Sequence, residues 1–207
     1  MSSGQIQPDK MIKKIIHKIC ENPIGSNFIR IILEAGMVNV KKNAISYLEP
    51  KRDESVIDVG CGTGEFSVII PGKYTGIDAD QKHIAYARKK YGGENKGFYV
   101  MDGSKLGYRR KSFDKAMFIN CLHHVDDDLF DKILCEIGRV TKKRILIIDT
   151  TPLNYNLFGM LTQNLDQGRY IRSIEEQLKL VRKRFKVKSY KTFRSGVNIH
   201  SLVVIDL

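Results

Sequence analysis

The segment Val56-Ile57-Asp58-Val59-Gly60-Cys61-Gly62-Thr63-Gly64 carries the strongest local chemical signal in the chain. A short apolar run leads into a turn with glycine at every second position, and glycine lets the backbone take left-handed dihedrals and come close to a ligand. The helix start expected after it offers unpaired N–H groups. A dinucleotide fingerprint needs a glycine three residues after Gly62. Glu65 stands there instead, with a carboxylate that would lie near a pyrophosphate. No G-K-[ST] follows the turn, so a Walker loop is excluded. Taken alone, the motif is also compatible with a tight strand-to-helix turn that binds nothing.

Three more polar groups follow at comparable places. Gly76-Ile77-Asp78 puts an acid at the end of the second apolar run, where it can accept both hydroxyl hydrogens of a ribose, although Asp78 or Asp80 could simply cap the next helix. Val100-Met101-Asp102-Gly103 ends the third run, and Phe118-Ile119-Asn120-Cys121-Leu122-His123-His124 ends the fourth. His123 and His124, as imidazoles, are candidate general bases, against a bland reading as packing and pocket wall. Cys121 reads as a small half-buried residue at a strand end rather than a nucleophile. Arg169, Tyr170 and Arg172 form a set suited to a phosphate or carboxylate, or else a solvated loop.

These groups need a frame that brings strand ends together. Apolar runs at 55–59, 74–78, 97–101, 114–119 and 144–149 predict strands. They alternate with helical patterns at 64–70, 81–91, 127–140 and 174–184, the last opened by a Ser173/Glu176 capping box. Such alternation implies right-handed βαβ units on a parallel sheet, with ligands beyond the strands' carboxyl ends. Runs at 185–193 and 197–205, joined by Arg194-Ser195-Gly196, predict a closing antiparallel hairpin. Ahead of the sheet, Met11, Ile12, Ile15, Ile16 and Ile19 form a helical stripe after Pro8. Phe28, Ile31, Ile32, Val40, Ile45 and Leu48 continue it, with Gly36 as a stop. Residues 1–50 therefore read as a helical cap and 51–207 as a single α/β domain.

Composition limits the function. At 207 residues the chain has room for one domain with a small extension, and its 42% apolar content suits a buried core rather than disorder. The net charge of +12 is uneven: residues 142–207 hold thirteen basic and five acidic side chains. That favours anionic partners but says nothing of fold. Cys20, Cys61, Cys121 and Cys135 are widely spaced with no CxxC pair, which disfavours a zinc site or a disulfide framework and fits a reducing cytoplasm. No metal is expected. No apolar stretch reaches the roughly eighteen residues of a membrane span, and the start has no secretory apolar core.

Together, the four motifs and their order resemble the class I S-adenosylmethionine-dependent methyltransferases, in particular the small-molecule, methyltransferase type 11 branch that includes the quinone-biosynthesis type. The resemblance runs from about residue 40 to 205 and implies a doubly wound, Rossmann-like, mostly parallel sheet with S-adenosylmethionine as cofactor. It further implies that Asp58 and the backbone of Gly60, Cys61, Gly62 and Gly64 hold the methionine end. Asp78 would take the ribose, with Ala79 beside it; Asp102 and Gly103 would take the adenine, and Asn120 would line the methionine portion. His123 or His124 would stand next to the reacting atom. Residues 151–170 and the N-terminal helices would form a lid over a small-molecule acceptor of anionic or lipid-like character. Two alternatives stay open: an RNA methyltransferase, suggested by the basic C-terminal third, and a non-catalytic S-adenosylmethionine-binding subunit. Against the first, the [DNS]-P-P-[YFW] sequence of exocyclic-amine methylation and any base-reading module are missing.

Overall fold

A computed structural model describes residues 37–152 and 169–207. In chain order it has α1 (Val38–Leu48), β1 (Ser55–Val59), a 3-10 turn (Glu65–Ile69), β2 (Lys73–Asp78), α2 (Gln81–Tyr91), β3 (Lys96–Val100) and β4 (Phe113–Ile119). A second 3-10 turn (Leu122–His124), α3 (Asp127–Val140), β5 (Thr141–Thr150), α4 (Ile174–Arg182), β6 (Ser189–Ser195) and β7 (Asn198–Asp206) follow. The strands form one seven-stranded sheet in the order β3-β2-β1-β4-β5-β7-β6. The first five are parallel, and β7 runs antiparallel to both its neighbours. The expected α/β class and the doubly wound, mostly parallel topology are therefore present.

Each face of the sheet has its own core. On one, Ile57 and Val59 of β1, Ile145 and Ile147 of β5, and Val203 and Ile205 of β7 meet Phe130, Ile133, Leu134, Ile137 and Val140 of α3 and Leu178 and Val181 of α4. On the other, Val56, Tyr74, Met117, Ile148 and Leu202 meet Val40, Ala44 and Leu48 of α1 and Ile84 and Ala87 of α2. The apolar residues of α3 recur at three- and four-residue spacing, so their burial accounts for the helix. The helix starts are fixed by side chains: Asp80 caps α2 by accepting from Lys82 and His83 N–H, Asp126 caps α3, and α4 opens with the full Ser173/Glu176 capping box.

Several boundaries differ from expectation. The helix predicted over 64–70 is a 3-10 turn, because Pro71 ends it and Gly72 runs against the Lys51 and Arg52 carbonyls, leaving no room for a side chain. The hairpin turns at Gly196 and Val197, with Ser195 paired to Asn198, rather than at Arg194-Ser195-Gly196. Gly196 has φ 59°, which a side chain resists. Strand β6 begins only at Ser189, because Phe185 and Val187 pack into the first core, Phe185 lying over Gly138. Ile45, expected on the buried stripe of α1, is exposed, and Ala44 takes the inward place. The helix predicted around residues 11–19, the Gly36 stop and most of the 151–170 segment lie outside the described residues.

Gly76 shows how tightly the frame holds the glycine turn. A Cβ there would stand 2.8 Å from Cys61 Sγ and 2.9 Å from the Phe98 ring. We predict that Gly76→Ala lowers the unfolding free energy by about 1–3 kcal/mol, the range for overpacking, as read by urea denaturation. An unchanged midpoint would show that the contact relaxes freely.

Candidate active site

The turn after β1 crosses the end of β2, where the N–H groups of Gly60 and Cys61 both donate to the carbonyl of Ile77, at 2.8 and 2.9 Å. Gly60, Gly62 and Gly64 all have positive φ, 74°, 51° and 78°. A side chain at Gly64 would also collide with Phe98 and Ala87. Glycine is thus required here twice, by dihedral and by space. The result is a backbone loop at the carboxyl ends of β1 and β2, with Asp78 beside it.

Asp78 does not cap the following helix; Asp80 does. Its Oδ2 accepts from Gly62 N–H and its Oδ1 from Asp80 N–H, both at 2.8 Å. Each carboxylate oxygen keeps a second acceptor site for a ligand hydroxyl. Ala79 is exposed next to it. Asp102 follows β3, and its Oδ1 accepts from the N–H and hydroxyl of Ser104, which holds its carboxyl below the ordinary range. Gly103 lies against Val59. Asn120 ends β4 with φ 54°, its N–H donating to the Ile148 carbonyl of β5.

Asp58 is buried, and its Oδ2 accepts from the phenol of Tyr74 at 2.7 Å. Burial, with some help from the negative charge of Asp78, pushes its carboxyl up to about 7 despite the Tyr74 hydrogen bond. Among the described residues no cation pairs with it. Cys61, buried in the same place, has its thiol pushed up by burial and by the two nearby carboxylates. Cys121 Sγ lies 3.1 Å from the Gly60 carbonyl on the other side of the turn. High-pKa or packed thiols of this kind are inert, which agrees with the structural reading of Cys121.

The two histidines part company. His123 is buried, with Nδ1 2.6 Å from Asp149 Oδ1, while His124 is exposed and its ring leans on that of His123, centroids 4.0 Å apart. Asp149, near the end of β5, also accepts from the N–H groups of Leu122, His123 and Thr150. Burial works to raise its carboxyl, but His123 and these donors outweigh it and hold the carboxyl below the usual range. Arg172, expected to offer a guanidinium to an anion, spends it inside the protein on the carbonyls of Leu122, Val125 and Tyr170 and on Asp127. It clamps the 3-10 turn that carries the histidines.

The site thus brings Asp58, the glycine turn, Asp78, Asp102 and Asn120 to one edge of the sheet, with His123 on the same edge. Two participants escaped the sequence reading. Asp149 follows an apolar run just as Asp78 and Asp102 do, so the same rule would have found it. Tyr74 is placed only by the strand register. Among the described residues, no group of three His, Cys, Asp or Glu side chains could hold a metal. No helix there is long and apolar enough to cross a membrane.

The family model described as a methyltransferase domain matches residues 57–148. Over 115 residues the chain is 30% identical to the ubiquinone/menaquinone biosynthesis C-methyltransferase UbiE of Desulfotalea psychrophila, 52% of this chain and 46% of that protein. It is 32% identical over 112 residues to the O-methyltransferase cnsE of Penicillium expansum, 49% and 40% of the two chains. The chain spans half or less of the length of these curated relatives. The fold is also that of the crystal structure of PH0226 from Pyrococcus horikoshii, with TM-score 0.68 and 21% identity over 83% of this chain and 89% of that one. With the matched domain running from within β1 to within β5 and this sheet order around it, the chain is similar over that span to methyltransferase domains and shares their fold.

Proposed function

We propose that the protein transfers the methyl group of S-adenosylmethionine to a small-molecule acceptor. One observation carries this reading most directly: the glycine turn and Asp78 share a strand end with a buried carboxyl, Asp58, that pairs with no cation among the described residues. The residues fit the group. Asp78 keeps free lone pairs for two ribose hydroxyls, the side-chain-free turn admits the methionine end to backbone contact, and Asp58 suits an ammonium. Asp102 and Gly103 would face the adenine, Cys61 and Ala79 would line the pocket, and Asn120 would border the methionine portion. A small acceptor is favoured over RNA because no base-reading element is present in the sequence, and the two curated relatives named above are a quinone-biosynthesis and an O-methyltransferase.

When bound, the donor supplies a methyl group on a sulfonium, a leaving group that departs as a neutral thioether without acid assistance. The protein's task is then to hold the acceptor in line, which is worth up to roughly 7–11 kcal/mol. An acceptor hydroxyl or amine must also lose a proton. His123 is the candidate base, because the Asp149 carboxylate fixes its Nδ1 and so sets the tautomer and ring orientation. His124, exposed, would wall the acceptor entrance.

Three outcomes test this. Asp78→Ala should weaken S-adenosylhomocysteine binding some thirty- to hundredfold in calorimetry, about 2–3 kcal/mol for a charge-assisted pair of hydrogen bonds. Unchanged affinity, or tighter binding of NAD by the wild type, would sink the cofactor assignment. Asp58, protonated below about pH 7 in the free protein, must give up that proton to meet an ammonium. Affinity should therefore fall by up to about tenfold per unit as pH drops below 7 and level off above it. Asp58→Asn should flatten this profile, and a profile identical in the variant would contradict the pairing. Finally, His123→Ala should cut kcat by about 10² to 10⁴ with donor affinity preserved. Normal turnover across pH 6–9 would leave alignment alone to carry the reaction.

A further inference from the structure

Beside the end of β5 lies a group of buried polar atoms that no described residue satisfies. His200 of β7 is 0% exposed, and neither Nδ1 nor Nε2 has a hydrogen-bond partner. Thr150, its register partner on β5, is 5% exposed, and its Oγ1 is likewise unpartnered. Asn198 stands two residues before His200 on the same face of β7, and its buried Oδ1 is a further orphan. Orphaned buried polar atoms are rare, because each has lost its water without gaining a partner. Three such residues stand side by side at this sheet position.

Its position and chemistry both bear on the acceptor. Residues alternate along a strand, so Thr150 faces the same side as Ile148, and His200 the same side as Leu202, in the core beneath α1. β5 neighbours β4, whose end carries Asn120, so the orphans flank the proposed donor crevice one strand further along. No group in the set carries charge near neutral pH: threonine and asparagine are neutral, and burial pushes the His200 imidazole down to about 4, with Asp149 opposing and His123 assisting. The Phe193 ring, stacked on His200 with centroids 5.5 Å apart, adds an apolar wall. None of the three residues offers a phosphate or carboxylate a cation, and the ammonium against the Phe193 ring, that of Lys191, lies closer to the Tyr47 ring, whereas a hydroxyl or carbonyl could be met as donor, acceptor or both.

We propose that Thr150, Asn198 and His200 form the polar recognition site for the acceptor, and that they take an uncharged hydroxyl or carbonyl group on an otherwise apolar molecule. The proposal rests on the methyltransferase reading above and replaces the anionic acceptor expected from Arg169 and Arg172, the second of which is spent on backbone carbonyls.

The full chain, saturated with S-adenosylhomocysteine and carrying ¹⁵N-labelled histidine, is titrated with phenol and, separately, with benzoate and phenyl phosphate. The expected result is that phenol shifts the His200 imidazole resonances and binds at least tenfold more tightly than either anion. Thr150→Val, which keeps shape and removes the hydroxyl, should weaken phenol at least fivefold while leaving S-adenosylhomocysteine affinity within twofold. Preference for an anion, equal phenol binding by the variant, or no probe binding to a protein that does bind S-adenosylhomocysteine, as when the orphans hold only a buried water, would each overturn the site. Failure of wild-type protein to bind S-adenosylhomocysteine would overturn the methyltransferase reading, and this inference with it.

Discussion

The turn between β1 and the following 3-10 segment is the constraint on which the remainder of the site depends. Gly60 and Cys61 both donate to the carbonyl of Ile77, so the chain leaving β1 must fold back over the end of β2 within contact distance. That crossing has no room for side chains at Gly64 or Gly76, and it sets Gly62 N–H opposite Asp78. The crossing itself is made by main chain, and the core residues Phe98, Ala87 and Cys61 close in on its glycines. The two cores, in turn, fix the parallel register that brings the ends of β1, β2, β3 and β4 to one edge.

Two buried carboxyls on that edge are handled in opposite ways. Asp149 is surrounded by donors, three backbone N–H groups and the His123 ring, and stays ionised. It is complete, and its effect is to lock a loop and a histidine. Asp58 has one phenol and a neighbouring carboxylate, so its proton is retained up to about pH 7. An incompletely satisfied acid beside a glycine cradle is what a cation-bearing ligand would complete, whereas the unpartnered Thr150, Asn198 and His200 are uncharged and call for a neutral group. The difference in charge separates the proposed donor end from the proposed acceptor end.

Much of this was legible in the sequence. The β1 motif, the strand-end acids, the Asp80 and Ser173 caps and the apolar period of α3 are local signals, and local chemistry determines them. What was not legible depends on register and long-range packing. The division of labour between His123 and His124 is decided by Asp149, twenty-six residues away from His123. The guanidinium of Arg172 looked available for a ligand because its carbonyl partners, at Leu122 and Val125, are remote in sequence. His200 faces Thr150 only through the antiparallel β5–β7 ladder, which neither residue announces. Phe185 looked like part of a strand because its alternation is right, but the gap over Gly138 claims it first.

The most direct measurement is a crystal structure of the full chain with S-adenosylhomocysteine. The account predicts the ribose hydroxyls on Asp78, the amino group of the methionine end within reach of Asp58, and the Gly60–Gly64 backbone in contact with that end. A ligand bound elsewhere, or one whose ribose and ammonium avoid both acids, would contradict it.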